Sequence, residues 1–177
     1  GRAAQALNQG EQGEIVLDRT PFYATSGGQQ ADTGVIATAE GVGAGAVAQV
    51  IGASKPLGDA VVHAVRVTRG RLAVGDAVTA SVDEARRAAI RRNHTATHLL
   101  HAALRHVLGS HVQQAGSHVD DERLRFDFSH FEAVGPEQLA AVERLANEWA
   151  LANVPVDVNL VTLDEAHRMG AMALFDE

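Results

Sequence analysis

The sequence predicts an α+β fold: a small β-barrel-like unit over residues 13–82, then an α+β core over residues 83–177 with helices packed on an antiparallel sheet. Three observations carry this reading. Short segments rich in Val, Ile and Thr, bounded by Gly, Asp or Pro, recur at regular spacing up to Val82. At Asp83 the apolar period changes from two residues to 3.6. Further on, Leu124 to Phe128 alternates Leu, Phe and Phe against Arg and Asp, the pattern of a half-buried strand.

Taken in order, residues 1–12 are polar and aperiodic and read as a flexible N-terminal segment. Ile15-Val16-Leu17 marks a strand within Glu14 to Asp18. A Gly-rich block follows, in which Ser26-Gly27-Gly28 must either turn sharply or admit another group close to the backbone. Alone, it reads as a turn between strands. Further strands are expected over Gly34 to Ala39, Gly45 to Ile51, Ala60 to Thr68 and Ala77 to Val82. Gly70 and Gly75-Asp76 supply hairpin turns, and Gly41 to Gly45 forms a loop tip.

Asp83 is the expected N-cap of a helix, with Glu84 adding negative charge to its first turn. This helix runs through Arg86, Arg87, Arg91 and Arg92 to Leu108, with Asn93 as the place where it would break and Gly109 as its stop. Ser110 to Ser117 reads as an extended segment or loop. Pro136 suits the first turn of a second helix, which passes Trp149 and ends near Asn153. Val156 to Leu163 is expected to be a strand, and Asp164 to cap a short helix ending at Gly170.

Composition bounds the function. In 177 residues, 46% are hydrophobic but only 4% aromatic, so the core is built from small side chains around Phe22, Phe126, Phe128 and Trp149. No apolar run approaches a membrane span and no signal sequence opens the chain, which points to a soluble, cytoplasmic protein with no membrane partner. The net charge of −7 argues against nucleic-acid binding by bulk electrostatics. The arginine cluster from Arg86 to Arg92 fits a solvated helix face and also fits contact with phosphates, and the sequence does not separate the two. No phosphate-loop or dinucleotide fingerprint is present, so no ATP site is expected. Cysteine is absent, which excludes disulfides.

The most specific stretch is Asn93-His94-Thr95-Ala96-Thr97-His98-Leu99-Leu100-His101. On a helix, His94 and His98 project from one face about a turn apart. Two neutral imidazoles so placed can share a divalent metal, with zinc the natural candidate. The same spacing also fits a His-rich helix with partly solvated rings. The zinc-protease signature needs a Glu directly after the first His, and Thr95 stands there instead. His101, one turn past His98, reads as another polar position on the helix. His63, His106, His118, His130 and His167 show no pairing logic, and His111 need not bind metal.

This stretch resembles the editing-site helix of alanyl-tRNA synthetases. Two further blocks carry the resemblance, in the same order along the chain. His111-Val112-Gln113-Gln114-Ala115-Gly116-Ser117 is followed by Leu124-Arg125-Phe126-Asp127-Phe128, and far upstream lies the block from Thr20-Pro21-Phe22 through Ser26-Gly27-Gly28-Gln29 to Gly34. The resemblance runs from about Gly13 to Phe175. Free-standing alanyl-tRNA editing proteins share these blocks, and the threonyl-tRNA synthetase editing domain shares the His-pair helix more distantly.

The resemblance implies an aminoacyl-tRNA deacylase. Its substrate would be tRNA(Ala) mischarged with serine or glycine, and zinc held at His94 and His98 would assist hydrolysis of the aminoacyl ester. The second sieve has a physical motive, because an alanine pocket cannot exclude glycine sterically and discriminates weakly against one added hydroxyl. Thr97 would line the amino-acid pocket, its alternative role being packing through its methyl group. Gln114 would bind the substrate or the water. Gln113 is the lesser candidate, since alternation in an extended segment points it the opposite way. Gly27, Gly28 and Gln29 would border the pocket and hold the aminoacyl end, while Arg91 and Arg92 would meet phosphates of the acceptor end. Ser117 is a further candidate, and Arg125 with Asp127 reads as a structural pair.

One departure matters. The family completes its metal site with a Cys-x-x-x-His motif downstream, whereas this chain has no Cys and stops at Glu177. The expectation is a truncated piece, C-terminally incomplete, with zinc weak or absent. Amino-acid activation with ATP would then reside elsewhere in the parent protein. The competing readings are a free-standing trans-editing protein, a non-catalytic module that positions tRNA, and a structural domain whose His pair is incidental.

Overall fold

In the computed structural model, which describes residues 3–39 and 45–171, nine strands and three helices follow one another. The strands are β1 (Ala6–Asn8), β2 (Gln12–Val16), β3 (Gly34–Thr38), β4 (Val47–Leu57), β5 (Ala60–Arg69), β6 (Arg71–Ala73), β7 (Val78–Val82), β8 (Gln113–Val119) and β9 (Leu124–Ser129). The helices are α1 (Glu84–Leu108), α2 (Pro136–Ala152) and α3 (Leu163–Arg168). The fold is α+β, with antiparallel sheets and helices in succession.

The chain divides into two compact units. One comprises residues 1–97 and 117–125, the other residues 98–116 and 126–177. In the first, five strands pair antiparallel in the order β2-β5-β4-β3-β7, and β1 pairs with β6. That order is open, so the expected barrel-like unit is a sheet and not a closed barrel. Short strands at regular spacing fit both architectures, and only the partners of the two end strands separate them. The longest pair, β4 with β5, is in register at Val50↔Val65 and shifts on either side at three irregularities. Such bulges bend a long ribbon and increase its twist. Ile36, Val50, Val65 and Val67 are fully buried beneath Phe22 and Leu72. Each of these Val and Ile side chains contributes about 1.5–3 kcal/mol by leaving water.

Polar chemistry also enters this core. His63 is fully buried; its Nδ1 donates to the Ile15 carbonyl at 3.2 Å and its Nε2 accepts from the Thr20 hydroxyl at 2.7 Å. Burial lowers its pKa from the ordinary 6.5, opposed by the hydrogen bond to Ile15, so the ring is a neutral strut. Its period-two position in β5 carries no sign of this. The 1–12 segment is likewise better ordered than expected from residue 6 onward. Ala6, Leu7 and Asn8 pair with Ala73, Leu72 and Arg71, and Leu7 packs against the core. A three-residue strand whose partner lies more than sixty residues away leaves no periodic trace. Gly41 to Ala44, most of the expected loop tip, lie outside the described residues.

Asp83 caps α1 as expected: its carboxylate accepts the Arg86 amide at 3.0 Å, while its own amide donates to the Thr33 carbonyl. The helix then runs 25 residues without a break at Asn93. In the second unit, Ala103, Leu104, Val112 and Val142 form a core flanked by Phe126, Phe128 and Trp149. Pro136 opens α2 behind Gly135, and Asn153 closes it in the left-handed conformation at φ 47°. Two expectations fail here. The strand expected over Val156 to Leu163 forms no ladder among the described residues: Val156, Val158 and Leu160 are exposed, and Leu163 opens α3. The cap of α3 is Thr162, not Asp164: Thr162 Oγ1 accepts the Glu165 amide and Glu165 returns the bond to the Thr162 amide. Thr-x-x-Glu is the reciprocal capping pattern, and Asp164 only adds charge to the first turn.

Candidate functional site

The Gly-rich block and the His-bearing helix, separated by more than sixty residues, meet in the first unit. Phe22, 4% exposed, and Asp32, 1% exposed, anchor the block at its two ends. The Asp32 carboxylate accepts the Tyr23 amide at 2.7 Å and pairs with the Arg87 guanidinium, whose Nη2 also donates to the Pro21 carbonyl at 2.6 Å. Arg86 fastens the same block by donating to the Ala31 carbonyl at 2.7 Å and to Gln30 Oε1 at 3.3 Å, and it pairs with Asp121 at 3.0 Å. These two arginines are therefore committed to holding the loop on α1 and are not part of a solvated face. Arg91 and Arg92 are exposed.

Within the block, Ser26 and Gln29 exchange backbone hydrogen bonds across a tight turn. Gly27 and Gly28 take positive φ of 54° and 79° there. The turn is stitched to β8 by two bonds: Val119 N donates to Gly28 O at 2.8 Å, and Gln30 N donates to Val119 O at 2.9 Å. A side chain on Gly28 would place its Cβ 2.6 Å from the Ser117 carbonyl oxygen, closer than any carbon approaches. Only glycine fits. Both alternatives left by the sequence, a sharp turn and a close backbone approach, are realised at this one residue.

The turn delivers the Gln29 side chain to the helix. His94 Nδ1 lies 2.6 Å from Gln29 Oε1, and the neighbouring Asn93 amide donates to the Asp120 carbonyl at 2.8 Å. Since the amide oxygen can only accept, the His94 proton sits on Nδ1 and the lone pair on Nε2. Gln29 also lines a cavity of about 330 Å³ together with Thr25, Gly28, Gln30, Arg86 and His118. His118 Nε2 pairs with Asp120 at 3.1 Å. The Arg123 and Glu122 amides, with His118 behind them, hold the Asp120 carboxyl below its ordinary range.

The remaining expected residues fall as follows. Thr97 is 5% exposed and donates its hydroxyl to the Asn93 carbonyl at 2.9 Å, leaving the oxygen able to accept. His98 is exposed on α1, one turn beyond His94. On β8, Gln113 is exposed and Gln114 half-buried, the alternation expected, and Ser117 is half-buried. His101 departs from its reading as a polar helix position. It is 4% exposed, its ring centroid lies 5.0 Å from that of Phe126, and its Nε2 is buried without a hydrogen-bond partner. Desolvation lowers its pKa, against a hydrogen bond to the Val112 backbone that raises it. His130, which showed no pairing logic, bonds through Nδ1 to His111 Nε2 at 2.8 Å.

The metal reading can be tested on the donors themselves. Among the described residues no three or more His, Asp or Glu side chains gather as a metal cluster. His94 nevertheless has the form of a ligating imidazole, one nitrogen held by an outer oxygen and the lone pair on the other. The fit is good in kind and limited in number.

The model of the family tRNA synthetases class II (A) matches residues 1–86. The matched stretch contains the first-unit sheet, the whole Gly-rich block and the start of α1. Over those residues the chain is similar to the class II tRNA synthetases of the alanyl type, which supports a tRNA-related role in protein biosynthesis. The match ends before His94 and His98. Among the described residues, no helix is long and apolar enough to cross a membrane.

Proposed function

We propose that the chain is the editing domain of an alanyl-tRNA synthetase, hydrolysing the aminoacyl ester of Ser-tRNA(Ala) or Gly-tRNA(Ala) in the cytoplasm. One observation carries the reading most directly: the hydrogen bond from His94 to Gln29, which joins the Gly-rich block to the helix of the paired histidines. His94 and His98 would hold zinc through imidazole nitrogens offered from one helix face. When bound, zinc supplies a water of lowered pKa and polarises a carbonyl, the two needs of ester hydrolysis.

The chain's own residues do the rest. Thr97 accepts the hydroxyl of a seryl group on its Oγ1, since its own proton is spent on Asn93. Gln114 binds the substrate or the attacking water through its amide. Gly27, Gly28, Gln29 and Ser117 border the aminoacyl end, and the exposed Arg91 and Arg92 meet phosphates of the acceptor end. Amino-acid activation with ATP belongs to other parts of a synthetase.

Deacylation of both mischarged tRNAs, with zinc supplied, tests this on the chain alone and on the chain joined to the family's Cys-x-x-x-His element. Activity in either protein that is lost on His94→Ala with His98→Ala supports the hydrolase. If neither protein deacylates but both bind tRNA(Ala), the reading becomes a tRNA-positioning module. Activity without any synthetase sequence attached in the parent gene would instead identify a free-standing trans-editing protein.

A further inference from the structure

We propose that Gln29 is a positioning residue for His94: it fixes the imidazole as the Nδ1–H tautomer, with Nε2 as the accepting nitrogen. The consequence for metal binding rests on the proposed role of His94, whereas the tautomer itself does not. An amide oxygen has no proton to give, so a 2.6 Å contact with Nδ1 is satisfied only if the ring donates. Which ring nitrogen carries the proton is set by the bond the other makes, and here Gln29 makes it.

The backbone that carries Gln29 is held in place from several sides. The Gln29 backbone is pinned by two bonds to Ser26, and the flanking Gly28 and Gln30 are bonded to Val119. The flanking glycines, at φ 54° and 79°, allow the turn that puts the side chain toward the helix. On the helix, Asn93 is tied to the Asp120 carbonyl, which fixes the turn that carries His94. Preorganisation of this kind keeps a ligating ring from searching its rotamers.

The test is a long-range nitrogen–proton NMR spectrum of the imidazoles at a pH above the histidine range, for the intact chain and for Gln29→Met and Gln29→Glu. In the unsubstituted protein, His94 Nδ1 should be pyrrole-like and Nε2 pyridine-like. Gln29→Met removes the acceptor and should turn these signals into a tautomer mixture, while Gln29→Glu retains an oxygen and should preserve them. His63, held by Ile15 and Thr20, serves as the internal control for folding in the same spectrum. Should Gln29→Met fail to fold, Gln29→Asn carries the test, because its amide is one methylene too short to reach. Unchanged His94 signals in the acceptor-deficient variant overturn the inference whatever the metal does. Zinc titration by competition with a chromogenic chelator gives the second readout, with an expected loss of about 10–100-fold for Gln29→Met. If the tautomer shifts but the unsubstituted protein takes up no zinc, positioning stands and the metal reading falls.

Discussion

Replacing Arg87 by Met keeps the apolar stem of the side chain and removes the guanidinium from a nearly buried carboxylate. Asp32 has a side chain only 2% exposed, and Arg87 one that is 27% exposed. The guanidinium makes two contacts to Asp32 and a third to the Pro21 carbonyl, while the Tyr23 amide is the other donor to the carboxylate. Breaking a buried pair by deleting one partner costs about 3–5 kcal/mol. The partial exposure of Arg87 and the surviving Tyr23 bond place this case near about 3 kcal/mol. With a urea dependence of about 2 kcal/mol per molar, the midpoint should fall by about 1.5 M. Far-UV circular dichroism is the appropriate signal, because Trp149 belongs to the other unit and would not report on this one. Adding Asp32→Asn removes the stranded charge while keeping an acceptor for Tyr23, so the double variant should recover part of the loss. A midpoint shift below about 0.3 M for Arg87→Met, or strict additivity in the double variant, would refute the assignment of the pair as the clamp of the loop.

Three further outcomes follow from the same geometry. Gly28→Ala should cost about 2–5 kcal/mol from left-handed strain plus the overlap with Ser117, whereas Gly27→Ala, with open space around it, should cost only about 1–2 kcal/mol; equal losses in urea unfolding would contradict the close approach. His63 and His101 both have folded pKa values lowered below 6.5, so the folded state binds fewer protons than the unfolded one; stability should be full above pH 6.5 and decline as pH falls from there through the lowered values. His63→Gln should flatten part of that decline in urea midpoints taken across the range, and an unchanged slope would exclude His63 as a contributor. Ile36→Ala, fully buried in the first core, should lose about 2–5 kcal/mol, against less than about 1 kcal/mol for the exposed Leu160→Ala, as read by thermal unfolding.

What was legible in the sequence is what repeats locally. The strands at Gly34, Ala60 and Val78, the Asp83 cap and the Pro136 start were each written within a few residues of where they act. In the candidate site the turn at Gly27-Gly28 was legible through its punctuation, and the pattern around His94 and His98 predicted the helix that carries both rings. Long-range commitments were not legible. Arg86 and Arg87 look like a charged helix face until Ala31, Asp32 and Asp121 come within reach. His63 and His101 carry polar labels in sequence, yet the core accepts them because loss of charge offsets burial, aided at His63 by hydrogen bonds at both ring nitrogens. The alternation from Val154 to Leu160 shows the converse: period two states which face a strand would bury, and a ladder forms only where another strand lies beside it.

The most direct measurement is the release of serine from Ser-tRNA(Ala) with zinc supplied, using the chain joined to the Cys-x-x-x-His element and the same protein carrying His94→Ala and His98→Ala. The account predicts turnover by the first and none by the second, with tRNA binding retained in both. Equal release by the two proteins, or none by either, would contradict an editing hydrolase built on this helix.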